Sequence, residues 1–203
     1  MSRALFIIDV QNDFTEGGAL GVEGGDAVAA GITAYLRAHP DRYDVVIASR
    51  DWHDGPGADN SNSNGGHFAL DADPDFVNTW PVHCVAGTVG AHYDPALDME
   101  LIDVHIRKGQ GVPAYSIFEG TTEDGVELPV VLDKLGVTDI DVVGIATDYC
   151  VRASALDALQ TRRHVRVIDD LIVGVAAESS AAALRELSDA GAEIEASTGK
   201  NLS

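Results

Sequence analysis

Short apolar runs alternate with stretches of helical periodicity along most of this chain, and that alternation restricts the possible folds more than any other feature. Residues 5–9, 44–48, 101–107, 141–145, 165–168 and 193–195 read as strands. Residues 26–38, 128–135, 151–162 and 179–190 read as helices, with Gly136 and Gly191 placed as C-terminal caps. Strands separated by helices imply βαβ units. The expected fold is therefore α/β, three-layered, with a mostly parallel central sheet and helices on both faces. Residues 1–203 are read as one domain with room for a substantial core. One stretch breaks the rhythm. Residues 51–98 are rich in Gly, Asn, Asp, Ser and Pro and carry no clear periodicity. An insertion of that length is either disordered or functional, and the histidines within it favour function.

The net charge of -20 argues against nucleic acid and against an anionic membrane as partners, since both would be repelled. Only three of the 13 basic residues are lysines, and the acidic surface reads as a solvated one. No run of about 18 apolar residues occurs, so no transmembrane helix is expected. The apolar run after Arg3 is too short for a signal peptide. Two cysteines, Cys84 and Cys150, are too few for a disulfide framework, and a reducing cytoplasm is the expected compartment. Monomer and homo-oligomer are both compatible with this composition.

In an open α/β sheet, ligands bind outside the carboxyl ends of the strands. The expected strands end there in reactive side chains: Asp9 after the first, Asp51 and His53 after the second, Lys108 after the third and Cys150 after the fourth. Cys150 sits where an apolar run passes through glycine and small residues into a helix. The unpaired N–H groups and positive dipole end of a helix start favour a thiolate there. A carboxylate such as Asp9 can take a thiol proton and later return it to a leaving amine, and an ammonium such as Lys108 balances the two anions. Taken singly, each has a plainer reading: a turn residue, a solvated charge, a core filler. Asp51-Trp52-His53, with His67 and His83 further on, offers the carboxylate and imidazole groups that bind a divalent transition metal. The same histidines also suit a polar surface loop. His39, His92, His105 and His164 have no such setting, and His105, inside an expected strand, reads as a satisfied half-buried imidazole. Cys84 lacks a helix-start context and reads as packed and inert rather than as a redox partner of Cys150.

The segments Ile7-Ile8-Asp9-Val10-Gln11-Asn12-Asp13-Phe14, Asp51-Trp52-His53, Trp80-Pro81-Val82-His83-Cys84, Lys108-Gly109, Ala114-Tyr115-Ser116-Ile117-Phe118-Glu119-Gly120 and Gly144-Ile145-Ala146-Thr147-Asp148-Tyr149-Cys150-Val151 occur in that order. Together they resemble the nicotinamidase/pyrazinamidase branch of the isochorismatase-like cysteine hydrolases, over about residues 4 to 195. The resemblance implies hydrolysis of nicotinamide to nicotinate and ammonia through a cysteine thioester, in NAD salvage. It implies a triad of Asp9, Lys108 and Cys150, and one divalent metal ion (Zn, Fe or Mn) on Asp51, His53 and His83. His67 matches a fourth ligand found in some members. Phe14 and Trp80 match aromatic walls of the pyridine pocket, and Tyr149 stands where some relatives have histidine. A cis peptide before Ala146 is implied, with the N–H groups of Ala146 and Cys150 forming an oxyanion hole. Two rival readings stay open on the sequence: an amidohydrolase of the same superfamily acting on a carbamoyl or other amide, and a metal-binding or ligand-binding module without catalysis.

Overall fold

The computed structural model describes residues 2–55 and 80–198. Six parallel strands form one sheet: β1 (Ser2–Ile8), β2 (Val45–Asp51), β3 (Val104–Lys108), β4 (Val137–Ile145), β5 (His164–Val173) and β6 (Glu193–Glu195). Their order is β3-β2-β1-β4-β5-β6. The helices are α1 (Gly25–Ala38), α2 (Leu128–Leu135), α3 (Arg152–Gln160) and α4 (Ala177–Asp189). The pleat sorts the core into two layers. On β1, Ala4, Phe6 and Ile8 face a cluster built with Leu128 and Leu132 of α2, Ala155 and Ala158 of α3, and Leu187 of α4. Leu5 and Ile7 face the other cluster, with Val28, Ile32 and Leu36 of α1. Strands buried on both faces read as continuous apolar runs, which is why they stand out in the sequence.

The chain builds outward from β1 through β2 to β3, then returns to place β4 on the other side of β1. The strand order reverses between β1 and β4, and in such sheets that is where a ligand crevice opens at the carboxyl ends. Gly144 permits the close approach there: its φ is +117°, and a Cβ would run into the Ile8 backbone.

The expected boundaries differ in instructive places. β1 stops at Ile8, and Asp9 leaves the ladder with a φ of 48°. β2 extends to Asp51 and β3 to Lys108, so both residues are the last of their strands rather than the first beyond them. β5 runs on to Val173, past Asp169 and Asp170, because a register shift against β4 brings Ile172 beside Gly144. The helix expected from residue 151 begins with a π-helical turn, Thr147–Val151, that places Cys150 inside it. Among the described residues no helix is long and apolar enough to cross a membrane.

Candidate active site

Four elements meet at the carboxyl edge. Asp9 follows β1, Asp51 ends β2, Lys108 ends β3, and Cys150 lies in the turn after β4. All four are buried. Lys108 Nζ lies 2.9 Å from Asp9 Oδ2 and 3.7 Å from Cys150 Sγ, donates to the Ala114 carbonyl at 3.2 Å, and pairs with Asp51 Oδ1. Burial works against the ammonium, but Asp51 and Asp9 overcome it and hold the Lys108 pKa well above the ordinary lysine range. Burial raises the Asp9 carboxyl, partly opposed by Lys108. Burial also pushes the Cys150 thiol well up, and both carboxylates add to this against the pull of Lys108.

Beside this cluster, Asp51, His53 and His83 bring one ligand atom each to within 4.8 Å of one another, all buried. His53 Nε2 and His83 Nε2 lie 3.4 and 3.7 Å from Asp51 Oδ2. Each imidazole has its other nitrogen committed: His53 Nδ1 to the Gly109 carbonyl at 2.9 Å, His83 Nδ1 to the Pro81 carbonyl at 2.7 Å. A carbonyl can only accept, so Nδ1 carries the proton and Nε2 presents a lone pair, the state a metal ligand needs. Two imidazole nitrogens and a carboxylate oxygen converging on one point are the donor set of a divalent ion. Burial opposes the Asp51 charge, but Lys108 outweighs it and holds the carboxyl well below its ordinary range. Gly109 has a φ of +79°, and a Cβ there would lie 2.5 Å from the His53 ring, so glycine is required beside the lysine.

A cavity of about 280 Å³ opens above both groups. Phe14, Trp80, Tyr115 and Tyr149 line it with Ala146, Cys150, Asp51 and His83. Trp80 meets Tyr149 edge-on at 5.3 Å between ring centroids and donates its Nε1–H to Tyr115 Oη at 3.1 Å. The peptide bond between Ile145 and Ala146 is cis. Asp9 and Lys108 do not line this space.

A family model described as the isochorismatase domain matches residues 3–198. The chain belongs to the isochorismatase family. The nicotinamidase/pyrazinamidase of Mycobacterium tuberculosis is 46% identical over 192 residues, covering 95% of this chain and 97% of that one. The pyrazinamidase of Pyrococcus horikoshii in complex with zinc superposes with a TM-score of 0.78 at 32% identity, covering 97% of this chain and 99% of that chain. The L. infantum protein in complex with nicotinate superposes with a TM-score of 0.79 at 30% identity, covering 97% and 93%.

Within this isochorismatase-family site the structure brings together Asp9, Lys108 and Cys150, and beside them Asp51, His53 and His83. Phe14, Trp80, Ala146 and Tyr149 stand around the same cavity. His67 lies outside the described residues. His105 is half-buried and meets Tyr93 Oη at 3.0 Å through Nδ1. Cys84 is buried with its thiol pKa pushed well up, first by burial, as suits a packed and inert group. Sequence reasoning left Gln11, Asp13 and Tyr115 without roles. Gln11 accepts from the Asp51 N–H at 2.8 Å and donates to the Asp51 carbonyl at 2.9 Å, clamping that residue's backbone. Asp13 Oδ2 accepts the N–H of Cys84 at 2.6 Å, fixing the residue next to His83. Their presence within one family motif was the only signal, because the partners lie 40 and 71 residues away.

Proposed function

We propose that the chain is an amidohydrolase that converts nicotinamide, and pyrazinamide, to nicotinate or its pyrazine counterpart and ammonia. The observation that carries this reading is the stacking of three groups: a thiol with a carboxylate and an ammonium behind it, a three-ligand metal site beside it, and one aromatic cavity facing both. The 46% identity to a nicotinamidase/pyrazinamidase supports the same substrate class.

In this reading the pyridine ring lies between Phe14 and Trp80 with its carboxamide toward Cys150. A divalent ion (Zn, Fe or Mn) held by Asp51, His53 and His83, with His67 as a fourth ligand, supplies a Lewis-acid anchor for the ring nitrogen, directly or through bound water. Zinc is the ion in the Pyrococcus structure. Asp9 takes the Cys150 proton, and the thiolate attacks the carboxamide carbon. The N–H groups of Ala146 and Cys150 hold the oxyanion; one such donor is typically worth about 3 kcal/mol. Asp9 returns the proton to the leaving nitrogen, ammonia departs and a thioester remains. Water, deprotonated by Asp9, adds to the thioester. Collapse releases the acid and restores the thiol. Lys108 stays protonated throughout and balances whichever of Asp9 and Cys150 is anionic. Residues 51–98 act as a metal-binding insertion within one catalytic domain, and the protein works in NAD salvage in the cytoplasm.

The test is ammonia release from nicotinamide and from benzamide by metal-loaded protein. Nicotinamide should be turned over, and benzamide should show a kcat/KM lower by roughly 10²-fold or more, because it lacks the nitrogen the site is built to hold. No release from nicotinamide would overturn the reading. Equal values for the two amides would favour a different amide as the substrate.

A further inference from the structure

Asp9 has one partner that no motif marks. Ser49 lies on β2, fully buried. Its Oγ donates to Asp9 Oδ1 at 2.7 Å and accepts the Asp9 backbone N–H at 3.3 Å. The β1–β2 pairing runs to Ile7 opposite Ala48, so Ser49 is the next residue along as the chain turns out of the sheet at Asp9. A side-chain oxygen thus takes the N–H that the departing strand would otherwise leave unpaired.

The Asp9 N–H occupies one lone pair of Oγ, which leaves the hydroxyl proton to point at Oδ1, 2.7 Å away, whenever Asp9 is ionised. Oδ1 is thereby held as an acceptor. The other oxygen, Oδ2, is the one 2.9 Å from Lys108 Nζ.

We propose that Ser49 is a positioning residue for proton transfer: by committing Oδ1 as an acceptor and pinning the Asp9 backbone, it confines the proton moved between Cys150 and the leaving group to Oδ2. The inference rests on the amidase reading above. No bond changes at Ser49 itself. The proton leaves Sγ for Oδ2 and leaves Oδ2 for the departing nitrogen, while the Ser49–Oδ1 hydrogen bond persists.

The experiment compares Ser49→Ala and Ser49→Thr with the unaltered protein, all metal-loaded, in nicotinamide hydrolysis, together with metal content and thermal melting. Ser49→Ala should lower kcat about tenfold, with KM and metal content within about twofold, because the ring still binds and only the proton's path is loosened. Ser49→Thr keeps a hydroxyl on the same carbon and should recover kcat to within about threefold. A kcat for Ser49→Ala within twofold of the unaltered protein would overturn the proposal. So would a loss spread over kcat, KM and metal content together, which marks general loosening, or a Ser49→Thr variant that melts normally yet is as slow as Ser49→Ala. If the unaltered protein releases no ammonia from nicotinamide, the amidase reading fails first and the inference falls with it.

Discussion

Two buried charge clusters sit on the same sheet, one toward each end of its strands, and they are built on opposite plans. Toward the amino ends, Asp141 of β4 accepts from Tyr43 Oη at 2.6 Å and from Arg166 Nε at 3.1 Å, with Arg42 Nε 3.8 Å away. Arg166 also reaches Glu195 at 3.5 Å, and Tyr43 meets Tyr35 at 3.1 Å. Arg3 pairs with Asp139 at 3.5 Å. Charges answer one another around a small concavity of about 110 Å³. At the carboxyl ends, two carboxylates, Asp9 and Asp51, share the single ammonium of Lys108, and a thiol competes for the same partner. The first cluster sets acidic against basic groups and holds strands and the α1–β2 turn together. The second has more acceptors than cations and a proton with two possible owners, an arrangement that earns its place through chemistry rather than stability.

Substitutions should separate the two plans. Cys150→Ala should lower amide hydrolysis by roughly 10³-fold or more with the melting temperature nearly unchanged. A rate within about tenfold of the unaltered protein, about 1.4 kcal/mol in barrier, would show the carboxyl-end cluster to be structural too. His53→Ala or His83→Ala should weaken metal binding by roughly 10²-fold or more, about 3 kcal/mol. Elemental analysis at full occupancy in either variant would remove that histidine from the ligand set; His67→Ala should have a milder effect. At the other end, Asp141→Ala should leave kcat within about twofold but cost about 3 kcal/mol of stability, because it strands the Arg166 guanidinium beside Tyr43. For a chain of this size that is a fall of about 6–12 °C in melting temperature. A large loss of kcat without that fall would break the comparison.

The smallest expected effect concerns His105, which belongs to neither cluster. Burial first, then Arg50 and Arg107, lower its pKa in the folded state. The unfolded chain therefore takes up the proton first, at the ordinary value near 6.5. Stability is full above that pH and declines as pH falls through the folded value. His105→Gln should flatten the decline in melting temperature below about pH 6.5, and an unchanged slope would assign the decline to other groups.

The contrast also shows how far the sequence could be read. Asp9, Lys108 and Cys150 were legible because each closes an apolar run, and parallel strands bring their carboxyl ends to one edge. The two-layered core was legible for the same reason. Ser49 and Gln11 were not, because their partners come from neighbouring strands and turns, and a polar residue inside a strand carries no periodic mark. The π-helical turn around Cys150 was hidden because its spacing differs from the 3.6-residue period by which helices are recognised. The strong acidity of the chain obscured the Asp141 cluster: with 33 acidic residues against 13 basic ones, one buried aspartate looks like any other.

The Gln11 clamp has a consequence for which guests the cavity accepts. Gln11 stands two residues beyond Asp9 and grips the Asp51 backbone on both sides. The carboxylate behind the sulfur and Asp51, a proposed metal ligand, are thus tied through one side chain, and under the proposed mechanism that tie sets the spacing between the two poles of the site. A pyridine whose nitrogen is bonded directly to the carboxamide-bearing carbon, or sits across the ring from it, offers its poles at a different spacing from nicotinamide. Such positional isomers have the same atoms and size as nicotinamide, so under the proposed mechanism spacing is what should slow their turnover.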